Sequence, residues 1–363
     1  MTATKPRGRE LGLPFQGTPG PENAITDIPG LTVGFSTVLR DGPPRVATGV
    51  TAIIPRGGDD DMMPVWAGFH ALNGNGEMTG THWIEDAGMF CGPLLITNTH
   101  SVGIVHHAAV RWMIKRYAKH FDRGFSWAMP VVAETYDGCL NDVNGLHVTE
   151  ADALLALDSA TRGPVAEGNA GGGTGMISYE FKGGTGTSSR LIEVAGQRGT
   201  VGVLVQANHG RRDWLQVLGV PIGKHLTQNL VRHKDAGSII VYLGTDLPLL
   251  PHQLRRLAKR ASIGIGRGGT VGGNSSGDIF LAFSTGNPMP CPQLAPPVWK
   301  LEAINDEHFD PIYQAAVEAI EEAVINAMLA ARTLPMARQT GRSVYAIDHE
   351  ELLAVMRCYN RLG

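Results

Sequence analysis

The stretch 263–285, IGIGRGGTVGGNSSGDIFLAFST, places the tightest constraint on the fold. Glycines at 266, 268, 269, 272 and 273 lead to Asn274-Ser275-Ser276-Gly277-Asp278, and an apolar strand follows at once. Glycine reaches backbone conformations and close approaches that other residues cannot, so such a loop is built to pack tightly. A phosphate-binding loop would run into a helix whose N-terminus holds the anion, and would carry a GK[ST] signature. Here a strand follows and that signature is missing. Two readings remain: a long turn ahead of a buried strand, or a turn that holds a hydroxyl against its own preceding carbonyl. In the second, the serine attacks that carbonyl, an ester forms and water hydrolyses it, leaving Ser276 as a new amino terminus. Its α-amine, with an ordinary pKa of about 7.7–8.0, then serves as base for the adjacent hydroxyl.

The rest of the chain reads as short apolar runs punctuated by glycine, of which there are 47 in 363 residues. Strands are expected in 25–38, 47–55, 93–98, 129–135, 199–208, 238–245 and 278–285, all rich in β-branched residues and bounded by turn formers; 40–45 reads as a loop. Helical spacing of apolar residues predicts helices over 103–119, 149–157, 251–261 and 310–332. Asp310 is the expected N-cap of the last, with Pro311 in its first turn. Strands and helices are interspersed without regular alternation, which favours a layered α+β sandwich over a doubly wound parallel sheet.

Composition narrows the function. With 43% hydrophobic residues the chain can build an extensive core. A formal net charge of −3 and no clustered Lys/Arg stripe argue against nucleic acid as a partner. Cys91, Cys139, Cys291 and Cys358 show no CxxC spacing and read as reduced thiols. The first residues carry basic side chains without an apolar run, unlike a secretory signal, and no apolar stretch is long enough to span a bilayer. A soluble, cytoplasmic protein is expected. His82, His100, His106 and His107 fall in one region but match no metal-ligand spacing, so neither metal nor cofactor is expected.

The segment GGNSSGDIFLAFST resembles the cleavage segment of the L-aminopeptidase/D-Ala-esterase/amidase family, which includes the β-peptidyl aminopeptidases. Other segments resemble the same family in the same order: NAITDIPGLTVGF (23–35), NGNGEMTGTHWIED (73–86), GPLLITNTHSVG (92–103), MPVVAETYDGCLND (129–142), GGGTGMISYEFKGGTGTSSR (171–190), LVQANHG (204–210) and TDLPLLPHQLRRLAKRASIGIGR (245–267). The resemblance covers nearly the whole chain. It implies a four-layer α-β-β-α sandwich, one domain over 1–363, cut between Ser275 and Ser276 into fragments 1–275 and 276–363; a cut before Ser275 is the alternative. It implies a cofactor-free aminopeptidase acting on short peptides, amides or esters, β-residues included, and a homotetramer of processed protomers.

Roles follow by position. The family's nucleophile, the hydroxyl residue directly before Gly-Asp, maps to Ser276. Asn208 and Tyr179 map near the oxyanion, Glu134 to the group that binds the substrate ammonium, and Asp246 to the substrate side. The family's Ser-x-Glu pair on the last long helix reads here as Ala319-Ile320-Glu321, so the serine is missing and Glu321 alone is expected to assist proton transfer, with Glu318 pointing off the apolar face. The rival readings are acyl transfer to an amine, as in ornithine acetyltransferases, and a non-catalytic binding protein that never matures.

Overall fold

Valine, isoleucine and threonine crowd the short runs of this chain, and side chains branched at Cβ suit a pleated surface better than a helix. The structure, a computed structural model, describes residues 5–58, 61–123, 126–231, 237–339 and 341–362. In chain order the strands that matter here are β1 (Thr32–Arg40), β2 (Val46–Ile54), β3 (Pro64–Gly74), β4 (Met89–Cys91), β5 (Leu94–Asn98), β6 (Val131–Thr135), β7 (Ile177–Ser178), β8 (Phe181–Lys182), β9 (Gly184–Val194), β10 (Gln197–Asn208), β11 (Ser238–Thr245) and β12 (Gly277–Ser284). The helices are α1 (Thr81–Ala87), α2 (Val102–Arg116), α3 (Ala118–Phe121), α4 (Glu150–Asp158), α5 (Ile222–His225), α6 (Pro251–Lys259), α7 (Ala261–Arg267), α8 (Asp310–Ala330) and α9 (His349–Cys358).

Strands β1-β2-β5-β6 form one sheet and β4-β3-β12-β11-β10-β9 a second. Their facing side chains, among them Ile53, Ile96, Leu204, Tyr242 and Leu281, make the core between the sheets. Helices α2 and α4 cover the outer face of the first sheet through Val105, Trp112, Ala153 and Leu157. Helices α6, α7 and α8 cover the outer face of the second through Leu257, Ile265, Ile320 and Ala323. The result is the expected four-layer α-β-β-α sandwich. Strand β12 lies inside the larger sheet, parallel to β11 and antiparallel to β3. Ile279, Leu281 and Phe283 turn toward the other sheet, while Phe280 and Ala282 turn toward the helices. A strand buried on both faces needs a continuous apolar run, as IFLAF supplies.

Several elements were not legible, among them three that shape the site. Strand β9 is glycine-, serine- and threonine-rich because α8 presses onto it: a Cβ on Gly186 would sit 2.0 Å from the Ala323 carbonyl oxygen. Helix α7 contains two glycines within a loop-like stretch, and a Cβ on Gly264 would meet Ile320 at 2.7 Å. Strand β3 gave no strand signal to the reading above, although it forms one wall of β12. Asp310 is the first residue of α8 rather than its cap, since Phe309 before it is already helical at φ −82° and ψ −21°.

Helix α8 also corrects the one-sided reading of its glutamates. It is buried almost all round, and Glu318, Glu321 and Glu322 are buried together. The charges are matched. Arg190 Nη2 reaches Glu322 Oε2 at 2.8 Å, Arg190 Nε lies 3.6 Å from Glu318 Oε2, and Arg9 Nε reaches Glu322 Oε1 at 3.0 Å. Asn23 Nδ2 donates to the same Glu322 oxygen at 2.6 Å, and Gly8 N donates to Asn326 Oδ1 at 3.0 Å. The N-terminal segment thus clamps α8 onto β9.

Removing one partner of a buried pair leaves the other charge uncompensated, at a cost of about 3–5 kcal/mol. Glu322→Ala is expected to lose stability of that order, read as a lowered urea midpoint, whereas the exposed pair Arg198–Glu193 is expected to contribute under about 1 kcal/mol.

Candidate active site

At the end of the larger sheet where β12 begins, β10 and β11 pair Asn208 with Ser238, and β11 and β12 pair Ser238 with Gly277. The antiparallel partner β3 brings Gly74 opposite Gly277 and Asn73 opposite Asp278. The glycine-rich loop closes as a turn, Ser276 N donating to Gly273 O at 2.8 Å. Ser276 is fully buried, and its hydroxyl donates to Asp278 Oδ1 at 2.5 Å. Asn73 Nδ2 holds both the Gly273 carbonyl, at 3.1 Å, and Asp278 Oδ2, at 3.3 Å. Asn75 Nδ2 donates to the Ser275 carbonyl at 2.7 Å. That carbonyl belongs to the bond expected to be cut.

Close approach explains Gly277: a Cβ there would lie 2.4 Å from the Asn75 carbonyl oxygen. The same crowding joins Glu134 to the group. A Cβ on Gly76 would stand 3.1 Å from Glu134 Oε1 and 3.6 Å from Gly277 Cα. Glu134, at the end of β6, accepts from Glu77 N at 3.0 Å and from the Thr99 hydroxyl. Burial is the main cause pushing its carboxyl above the usual range, and the two hydrogen bonds pull the other way. A cation brought by a substrate would restore the charged form at this spot. Three residues on, Asp137 is raised to about 7 by burial, against hydrogen bonds from Thr48 and Asn141.

The other expected residues divide. Asn208 lies at this end of the sheet, but its side chain follows Leu204 toward the opposite sheet, whereas Asp278 and the Ser276 hydroxyl follow Phe280 toward the helices. Its amide ties loops together, accepting from Ile177 N at 2.8 Å and donating to Tyr136 O at 3.0 Å. In the intact chain it is therefore not aimed at Ser276. Tyr179 is fully buried between β7 and β8 with φ +48°, a left-handed conformation that costs a side-chain-bearing residue on the order of 1–3 kcal/mol. Its ring packs edge-on at 5.0 Å from His209, and a Cβ on Gly268 would meet its hydroxyl at 2.7 Å, so it braces the glycine-rich loop.

Glu321 pairs with Arg267 Nε at 3.0 Å and lines a cavity of about 380 Å³ with Phe15, Gln216 and Glu318. It is held by α7 rather than by the nucleophile. Asp246 leaves the site altogether. It follows Thr245 at the far end of β11, about 25 Å from Ser238 at roughly 3.3 Å per residue, and accepts from Thr200 N at 2.7 Å. Its assignment to substrate binding is overturned by the parallel pairing of β11 with β12, which puts the starts of both strands at the opposite edge.

Asn73, Asn75, Asp278 and His209 were not singled out from the sequence. Asn73 and Asn75 stand in NGNGEMTG, some 200 residues before Ser275, and only strand pairing brings them to the loop. His209 is fully buried, its ring held neutral by burial with a pKa of about 3, and neither ring nitrogen has a hydrogen-bond partner among the described residues. Among the same residues no group of three or more His, Cys, Asp or Glu is placed to hold a metal, and no helix is long and apolar enough to cross a membrane.

Comparison with known proteins gives a consistent result. The profile of peptidase family S58 matches residues 23–342. A beta-peptidyl aminopeptidase of Sphingosinicella microcystinivorans is 47% identical, over the whole of this chain and 94% of its own. Among solved structures, the L-aminopeptidase D-Ala-esterase/amidase of Ochrobactrum anthropi, described as a prototype serine aminopeptidase with a variant Ntn hydrolase fold, superposes with a TM-score of 0.95 at 57% identity, covering 99% of this chain and 100% of that one. A beta-aminopeptidase of a Burkholderia species superposes with a TM-score of 0.88 at 46% identity, covering 97% and 98%.

A carboxyl whose folded pKa is raised binds its proton more tightly in the native state. Its stability contribution is therefore complete below the unfolded pKa near 3.8 and declines as pH rises toward the folded value of about 7. Asp137→Asn removes this loss. Relative to the parent, it is expected to be more stable at pH 8 than at pH 4 by more than about 1 kcal/mol, the worth of a one-unit shift. Urea titrations at the two pH values test this.

Proposed function

Because the chain belongs to peptidase family S58, we propose that it is a serine aminopeptidase that cuts itself between Ser275 and Ser276 and then releases N-terminal residues from short peptides, amides or esters, β-residues included. The observation that carries this reading is the environment of Ser276: a buried hydroxyl directly before a central strand, behind a tight turn, with the preceding carbonyl already held by a side chain. In the intact chain no substrate reaches a serine with 0% exposure, and its nitrogen is tied up in a peptide bond. Cutting frees both.

After the cut, Ser276 Oγ attacks the substrate carbonyl while its own α-amine takes the proton, and water later releases the acyl group. The incoming ammonium pairs with Glu134, whose carboxyl ionises as the cation arrives. Tyr179 is assigned to the oxyanion side, Asn208 to holding the loops that shape it, and Glu321 to supporting proton transfer through α7 and α8. Fragments 1–275 and 276–363 stay together as one domain, because β12 and α8 of the small fragment are built into the sheet and helix layers of the large one. Assembly into a tetramer completes the proposal.

Two variants test it. The parent is expected to give bands of about 29 and about 9 kDa on a denaturing gel, in proportion to its 38.7 kDa. Ser276→Ala is expected to give a single full-length band and no hydrolysis of an aminoacyl p-nitroanilide. A split, active Ser276→Ala enzyme would refute the assignment. Glu134→Ala is expected to raise KM for free-amine substrates by about tenfold or more, with N-acylated esters little affected; equal losses on both would end the ammonium role. In the parent, KM for amines is expected to climb as pH falls through the raised Glu134 pKa, and this dependence disappears in the variant.

A further inference from the structure

We propose that Asn75 and Asp278 are the catalytic pair of the self-cleavage step, Asn75 as oxyanion donor and Asp278 as base; this rests on the reading that the chain cuts itself before Ser276. The need for a separate base is chemical. Before cleavage the Ser276 nitrogen is an amide, its lone pair delocalised into the carbonyl, and it already donates to Gly273 O at 2.8 Å. The amine that serves turnover does not yet exist. Asp278 does, with Oδ1 at 2.5 Å from the Ser276 hydroxyl and its carboxylate buried.

Asn75 supplies the other half. Attack on the Ser275 carbonyl moves charge onto its oxygen, and the Asn75 amide donates to that oxygen at 2.7 Å. A donor already in place on that oxygen needs no reorganisation as the charge develops. Its neighbour Asn73 braces the apparatus, with one amide nitrogen bonded to the turn carbonyl of Gly273 and to Asp278 Oδ2. Asn73 lies at the end of β3 and Asn75 just beyond it, and the register of β3 with β12 sets Asn73 opposite Asp278 and Gly74 opposite Gly277. Donor and base are therefore fixed by the same strand pairing that fixes the nucleophile.

The step balances without a cofactor. Ser276 Oγ passes its proton to Asp278 as it bonds to the Ser275 carbonyl carbon, and the oxyanion rests on Asn75. The C–N bond then breaks, and the nitrogen of Ser276 takes the proton back from Asp278 and leaves as an amine. The product is an ester between the Ser275 acyl group and Ser276 Oγ. Water hydrolyses it to a Ser275 carboxylate and a free Ser276 hydroxyl.

The test follows full-length chain made by cell-free synthesis over time on denaturing gels, for the parent, Asn75→Ala, Asn75→Asp, Asp278→Asn and Ser276→Ala. Losing one oxyanion donor typically slows a step by about 10²–10³-fold, and Asn75→Ala is expected to cut that much more slowly. Asn75→Asp keeps the shape but presents an acceptor to the carbonyl, and is expected to be at least as slow. Asp278→Asn is expected to stall before the ester, so that hydroxylamine, which cleaves esters, fails to speed it. Near-UV circular dichroism identifies the variants that fold; should Asn75→Ala not fold, the isosteric Asn75→Asp decides. Parent-rate cutting in folded Asn75 variants overturns the donor, and in Asp278→Asn it overturns the base. If the parent itself stays intact, the fault lies with the self-cleavage reading, and the pair falls with it.

Discussion

Strand β12 is held from both sides, parallel to β11 and antiparallel to β3, and the rest of the molecule is arranged around that pairing. Its five apolar residues fill two cores at once, so it cannot slide by one position without exchanging the residues that face the sheet with those that face the helices. A locked register fixes the place of the residue just before the strand. Ser276 thus stands at the sheet's end with little freedom, and the turn before it is drawn back onto Gly273. Precise placement of a reactive group is obtained here from ordinary backbone pairing.

The same pairing would hold the chain together after the cut proposed before Ser276. Every residue of β12 is buried between β11 and β3, which precede Ser276 in the chain, and α8 is tied to Arg190 by a fully buried ion pair and to Arg9 and Asn23 by part-buried contacts. Buried pairs contribute little net stability against an apolar alternative, yet removing one partner is costly. Such contacts favour this arrangement of the two segments over others, as the proposed cut would require.

Burial also sets the chemistry. Glu134 and Asp137 are pushed toward their neutral forms and His209 toward neutral imidazole, all mainly because the surroundings solvate charge poorly. In such a place a charge that arrives with a substrate, or develops on a carbonyl oxygen, interacts strongly with the few dipoles aimed at it. Membership of peptidase family S58, together with a fold closely similar to that of a serine aminopeptidase, places this chain among aminopeptidases.

Much of this was written in local patterns. The β-branched runs marked seven of the strands and the apolar spacing marked α2, α4, α6 and α8, because each of these signals depends only on residues close in sequence; Ser276 was read from family resemblance. Tertiary structure alone decided the rest. Asn75 meets Ser275 across 200 positions, Asp246 is carried to the wrong end of a strand by the direction of β11, and Glu318, Glu321 and Glu322 are all buried because a second segment folds over the helix. A residue's type shows what it can bond to, but strand direction, register and layer order, set by contacts between distant segments, determine what lies within reach.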